Sequence, residues 1–229
     1  MTTVPYTIRR SDRARRARIQ VSAEGVEVVV PRRLPLREVE PFVRAKQPWI
    51  ERTLLRMQAA DEQRPRPLLV DGGEVPYLGD TLHLRVRVEL HRTRPRVVLR
   101  GGCLHVAVAS GEEDTVRAAL ERWYRLRART EVAERLDAAV DRAGREYTKL
   151  SIRAQRTRWA SCSSSGGMSF NWRLLLAPPE ILDYVVEHEV VHLEVLDHSP
   201  DFWSLLASRC PQYRARERWL RHNGHTLRL

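Results

Sequence analysis

The chain has 229 residues and a formal net charge of +11, from 40 Lys+Arg against 29 Asp+Glu. Hydrophobic residues make up 42%, enough for a sizeable core, so wholesale disorder is excluded. No apolar run reaches the ~18 residues of a membrane span, and the 11 Gly and 13 Pro follow no collagen-like period.

Thr7 to Arg10 and Arg15 to Val21 are short and β-compatible. Ala23-Glu24-Gly25 reads as a turn, and the β-branched run Val26 to Val30 ends at Pro31. Residues 36–60 carry Val39, Phe42, Val43, Ile50, Leu54 and Met57 at helical spacing. Pro41 and Pro48 interrupt that pattern, which predicts two short helices or one kinked helix. Residues 61–68 form a Pro/Arg linker. Leu82, Leu84, Val86 and Val88 alternate with His83, Arg85 and Arg87, the pattern of a half-buried strand. Val97 to Arg100, Gly101-Gly102 and Leu104 to Val108 give a two-residue hairpin.

The pattern changes at Ser110. Ser110 with Glu113 fits a capping box, and apolar residues then recur at helical spacing from Val116 to Val140, up to a stop at Gly144. This predicts a long helix and a domain boundary near residue 110. After it, Leu150 to Gln155, Arg158 to Cys162 and Met168 to Leu176 are strand-compatible. Pro178-Pro179 opens a helix running to about Val195, Ser199-Pro200 opens another, and an Arg-rich helix covers about 212–222. The expected fold is α+β: a β-rich N-terminal domain (1–110) with a helical insert, then a C-terminal domain (111–229) with a long helix, a small antiparallel sheet and a helix bearing the site.

One motif carries chemistry: His188-Glu189-Val190-Val191-His192, an H-e-x-x-h pattern in an apolar helix. Residues four apart on a helix lie about 6 Å apart along the axis and on one side, so both imidazoles can reach one Zn²⁺. Glu189 is displaced sideways, where it can address a water rather than the metal. A third ligand is needed. His198 can supply it only if the helix ends before it, since a continuous helix would carry it ~15 Å beyond His188. Glu194, Asp197, Asp201 and Glu217 compete for that place. The spacing to His198 equals that of metzincins, but Val195 stands where they have Gly.

The C-terminal third resembles the YgjP-like metallopeptidases, relatives of the SprT/Spartan group. The matching stretches are Arg158-Trp159-Ala160-Ser161-Cys162-Ser163, Asn171-Trp172-Arg173-Leu174, Leu182-Asp183-Tyr184-Val185-Val186, the histidine motif, His198-Ser199-Pro200-Asp201-Phe202-Trp203, and Pro211-Gln212-Tyr213 through Trp219-Leu220. Arg32 to Trp49 and Gly73 to Gly79 extend the likeness into the N-terminal half. Ala160 departs from the Gly usual after the Trp. The resemblance implies a minimal gluzincin-like zinc domain, with His188, His192 and His198 as ligands of one Zn²⁺ and Glu189 as catalytic acid/base.

Trp159, Ser161 and Asn171 lie on the hairpin before the motif and are candidates for aligning an extended substrate; Tyr213 is a candidate for stabilising an oxyanion. Asp201 is a candidate to bond a ligand His. His222 and His225 are not counted as ligands. The expected function is a zinc metalloendopeptidase acting on a protein or peptide. Two alternatives stand beside it: a DNA-associated, SprT-like protease, and a non-catalytic zinc-bearing module in which Cys162 or Cys210 adds a fourth ligand.

Cys103, Cys162 and Cys210 are odd in number and form no C-x-x-C pair. With no apolar core in Met1 to Arg10, the expected compartment is the reducing cytoplasm, with no membrane partner. All basic residues except Lys46 and Lys149 are Arg. Residues 1–60 hold 13 basic and 6 acidic side chains, against a balance over 111–150, so a nucleic-acid partner is expected through the basic N-terminal part.

Overall fold

The computed structural model describes residues 4–12, 14–22, 25–63, 66–155 and 158–229, without the side chains of residues 60 and 61. The turn expected at Ala23-Glu24-Gly25 and part of the 61–68 linker lie outside the described residues. The chain forms two compact units, one of Met1–Pro65 with His222–Thr226, the other of Arg66–Arg221 with Leu227–Leu229.

In the first unit, β1 (Tyr6–Ser11), β2 (Arg18–Ser22) and β3 (Gly25–Pro31) form a sheet of order β1-β3-β2. β2 is antiparallel to β3, and β1 is parallel to it. After a 3-10 turn at Leu36–Glu38, α1 (Val39–Gln63) is one helix with Pro48 inside it, rather than two. Pro41 falls in its first turn, where a missing N–H costs no helical bond. Val39, Val43 and Ile50 of α1 pack on Val26, Val28 and Val30 of β3, which is why α1 holds despite Pro48.

The second unit begins with β4 (Glu74–Tyr77), β5 (Asp80–Val88), β6 (Arg96–Arg100) and β7 (Cys103–Val108), in sheet order β4-β5-β7-β6. Leu82, Leu84, Leu104, Val106 and Val108 face inward, and Gly101 and Gly102 take positive φ (53° and 75°) in the β6–β7 turn. α2 (Glu113–Ala143) follows. It starts at Glu112 as cap, because the Ser110 hydroxyl accepts the N–H of Glu112 in a local turn and so does not cap the helix. Its end matches expectation: Gly144 is left-handed, and its N–H reaches back to Asp141 O.

β8 (Lys149–Arg153), β9 (Ala160–Cys162) and β10 (Gly167–Asn171) form a sheet of order β8-β10-β9. This sheet is mixed, not antiparallel: β9 and β10 form a hairpin, while β8 lies parallel to β10. Residues 172–176 turn as a 3-10 helix instead of continuing the strand, because Asn171 Oδ1 accepts the N–H of Arg173. α3 (Pro179–Val191), α4 (Pro200–Arg209) and α5 (Tyr213–Asn223) complete the chain.

The boundary expected near residue 110 falls inside the second unit. Val75, Leu84, Val106, Val116, Leu120, Trp123, Phe170 and Val186 share one buried cluster, so the β4–β7 sheet and α2 have a common core. The alternation along β5 showed which side is buried, but not that α2 would lie over the sheet, against β6 and β7. Tyr77 Oη donates to Glu131 Oε1 (2.8 Å), Arg135 bonds Glu131 Oε2 (2.8 Å), and Arg135 Nε bonds Asp183 Oδ1 (2.9 Å), which ties β4, α2 and α3 together.

Candidate metal centre

α3 is apolar on several sides, with Ile181, Leu182, Val185, Val186, Val190 and Val191 buried, so it runs through the core and carries His188 and Glu189 with it. It ends at Val191, four residues before the expected end. His192 is its C-cap, and the N–H groups of Glu194 and Val195 both return to Val191 O. Asp197 Oδ1 then accepts the N–H of Ser199 (3.1 Å), and Pro200 starts α4. This tight reversal brings His198 back beside α3.

Among the described residues, one ligand atom each from His188, His192 and His198 lies within 4.8 Å of the others. His188 Nε2 and His198 Nε2 are 3.0 Å apart. His192 Nδ1 meets Val195 O at 3.0 Å, so Nδ1–H donates to that carbonyl and Nε2 keeps its lone pair for a cation. Burial first, then the neighbouring imidazoles His192 and His198, lower the His188 pKa to about 3. Burial and His198 also lower that of His192, against the pull of Val195 O. Both rings are therefore held neutral, the form that ligates metal.

Glu189 is 5% exposed, and its Oε2 is buried with no hydrogen-bond partner among the described residues. Burial raises its pKa to about 7, partly offset by the Cys162 backbone N–H and the charge of Arg158. A three-nitrogen donor set beside an orphaned buried carboxylate oxygen fits a zinc ion with one coordination position left open.

The competing third ligands lie elsewhere. Glu194 Oε1 is bonded to Arg209 Nη2 (2.5 Å), and Asp197 is committed to Ser199. Neither Asp201 nor Glu217 joins the histidine group among the described residues. The thiols are also apart from it: Cys210 Sγ accepts from Arg216 Nη1 (3.3 Å), and Cys162 Sγ donates to Ser163 O (3.4 Å).

Two residues that the sequence showed only within the His198–Trp203 stretch of the resemblance surround the histidines. The Phe202 ring, fully buried, lies 4.9 Å from His188 and 4.6 Å from both His192 and His198, centroid to centroid. Trp203 Nε1 donates to His198 O (3.1 Å), and its ring stacks on Tyr213 (5.6 Å, 23°). Both stand in the first turns of α4, directly after Ser199-Pro200, and the matching stretch His198–Trp203 was the signal that could have marked them.

β9 is the edge strand next to α3 and carries Ser161, half-buried and opposite Ser169. Ala160 pairs with Phe170 in regular register without positive φ, so this strand does not require the Gly usual there. Trp159 is half-buried and its carbonyl accepts the N–H of Asn171 (2.7 Å). Asn171 is 3% exposed and donates both Nδ2 hydrogens, to Gln155 O (2.7 Å) and Arg158 O (3.3 Å). It therefore ties Gln155 and Arg158 to the end of β10. Tyr213 is buried, and its hydroxyl accepts from Arg214 Nε (3.1 Å). His222 and His225 lie outside the histidine group, and His225 Nε2 meets Met57 O at 3.1 Å.

The family model described as "YgjP-like, metallopeptidase domain" matches residues 15–223. Among solved structures, the chain is similar to the crystal structure of the metallopeptidase zymogen of Pyrococcus abyssi abylysin, at 24% identity over 39% of this chain and 91% of that chain, with a TM-score of 0.36. No curated protein matches it. Because the family match spans nearly the whole chain and includes every residue of the histidine centre, the chain belongs to the YgjP-like metallopeptidase family.

Proposed function

We propose that this metallopeptidase is a zinc-dependent endopeptidase holding one Zn²⁺ per chain on His188, His192 and His198, with Glu189 as general base. The observation that carries the reading is the convergence of three imidazoles beside a buried carboxylate with an unpartnered oxygen. Zinc bound there supplies Lewis acidity and brings the pKa of a water down to about 7. Glu189 Oε2 takes the proton of the attacking water and returns it to the leaving amine. The outer backbone edge of β9 (Ala160–Cys162) aligns an extended peptide by strand addition, with Trp159 and Ser161 flanking it. An open strand edge admits the middle of a chain, which supports endopeptidase action. Tyr213 acts on the site through Trp203, on which it stacks, rather than by offering its phenol to an oxyanion.

No helix among the described residues is long and apolar enough to cross a membrane. The three free thiols support the reducing cytoplasm as the place of action.

The test is metal content together with proteolysis. Purified protein should hold about one zinc per chain. Glu189→Gln should keep that zinc while cleavage of an unfolded protein substrate falls by about 10²–10⁴-fold. Wild-type cleavage by that variant would overturn the assignment of the base.

A further inference from the structure

The four-stranded sheet of the second unit buries one face and leaves the other open. On the open face the strands place side chains in register. Arg87, Ala107 and Arg96 form one row across β5, β7 and β6; Arg85, His105 and Val98 form the next; His83, Cys103 and Arg100 form the third. Arg85, Arg87, Arg96, Arg100, His83 and His105 are all exposed. Glu74 is the one acid on this face within the four strands, and it is bonded to His83 Nδ1 (3.1 Å). Arg87 approaches Glu89 only at 3.9 Å, and no ion pair joins Arg85, Arg96 or Arg100 to an acid among the described residues.

A solvated surface of this size ordinarily mixes signs. Here four guanidinium groups are held on a rigid sheet, with one acid among them. The arginines of β5 and β6 stand two strand spacings apart, about 10 Å, on either side of a lane formed by β7. Along β5 the repeat is about 7 Å. Two cationic rows at that separation suit two phosphate strands bordering a groove of a double helix, whose grooves are about 6 and 12 Å wide. The face has no Phe, Tyr or Trp, so it lacks the broad stacking platform that holds the bases of a single strand. It also has no protruding apolar group to enter a lipid interface, Val98 being half-buried.

We propose that the open face of the β4–β7 sheet is a docking surface for the phosphate backbone of duplex nucleic acid, read by charge and without base specificity. It is separate from the excess of arginine over residues 1–60 and does not depend on the assignment of the metal centre. Contacts from four arginines to phosphate predict that log K falls with log salt at a slope of about −3.6, or about 150-fold between about 50 and 200 mM.

The test is fluorescence anisotropy of the full chain with a labelled short duplex across a salt series. The quadruple variant Arg85→Ala/Arg87→Ala/Arg96→Ala/Arg100→Ala should bring the slope close to zero. The corresponding four Arg→Lys changes should restore most of the binding, because a phosphate contact of this kind needs charge rather than a fork. Circular dichroism and Tm, unchanged in both, exclude a folding defect. The proposal is overturned by absence of duplex binding at about 50 mM salt, by wild-type affinity in the alanine variant, by preference for a single strand of the same length, or by tighter binding to phosphatidylserine vesicles than to the duplex.

Discussion

The indole Nε1 of Trp203 donates to the backbone carbonyl of His198 at 3.1 Å, and the Trp203 ring lies 5.6 Å from the imidazole it steadies. His198 is the exposed member of the histidine group and stands outside any helix, so its position depends on such contacts. Trp203→Phe keeps a ring and removes the donor. Zinc affinity, measured by competition with a chromophoric chelator, should fall about tenfold, the lower end for loss of an outer-shell partner. Unchanged affinity would show that α4 alone fixes His198.

The Glu131 centre gives a pH signature of its own. Burial favours the protonated acid, but hydrogen bonds from Arg135 and Tyr77 outweigh it, and the Glu131 pKa lies below its ordinary value. A carboxyl depressed in the folded state contributes stability above its unfolded pKa of about 4.3, and that stability is lost as pH falls through the folded value. Glu131→Gln should therefore cost about 1–3 kcal/mol at pH 7. In urea titrations the gap from wild type should narrow steadily below about pH 4. A gap independent of pH would mean that shape, not charge, holds α2 to Tyr77 and Asp183.

Gly79 has φ +90°, and a Cβ built on it would meet Pro179 Cδ at 3.1 Å. Next to it, Leu78 is the one described non-glycine residue with positive φ, and its N–H bonds Leu175 O (2.8 Å). This turn thus seats the β4–β5 hairpin against the start of α3. Gly79→Ala should cost about 1–2 kcal/mol, which lowers Tm by about 2–8 °C in calorimetry. Gly102→Ala is the comparison: φ is +75° with nothing within 4 Å of the added carbon, so only the backbone strain applies and the fall should be smaller.

These residues also show what could be read from the sequence. Local rules placed the stop of α2 at Gly144, the Gly101-Gly102 hairpin and the His188/His192 pair, because each follows from a few adjacent residues. The parallel pairings β1/β3, β5/β7 and β8/β10 join strands distant in the chain, and no local pattern encodes them. Ser110 and Asn171 illustrate a different limit. Each has a side chain able to serve either a regular element or a turn, and in both the turn wins. Around the histidines, Ser199-Pro200 marked the start of a helix but could not show that Phe202, two residues on, packs on all three imidazoles.

Glu194 separates two roles that a sequence leaves equivalent, ligand and brace. It lies in the reversal between His192 and His198, and its Oε1 accepts from Arg209 Nη2 at 2.5 Å, with Arg145 Nη2 3.6 Å from Oε2. The pair joins the reversal to the last residue of α4, so both ends of the segment carrying His198 are held. As a brace, Glu194→Ala and Arg209→Ala should each weaken zinc binding by about tenfold. The double variant should lose little more than either alone, giving a coupling of about 0.5–3 kcal/mol in a double-mutant cycle. As a ligand, Glu194→Ala would abolish stoichiometric zinc while Arg209→Ala would leave it nearly intact. The cycle, read by zinc titration and by Tm of the metal-free protein, distinguishes the two: a brace lowers both quantities together, whereas a ligand lowers the first alone.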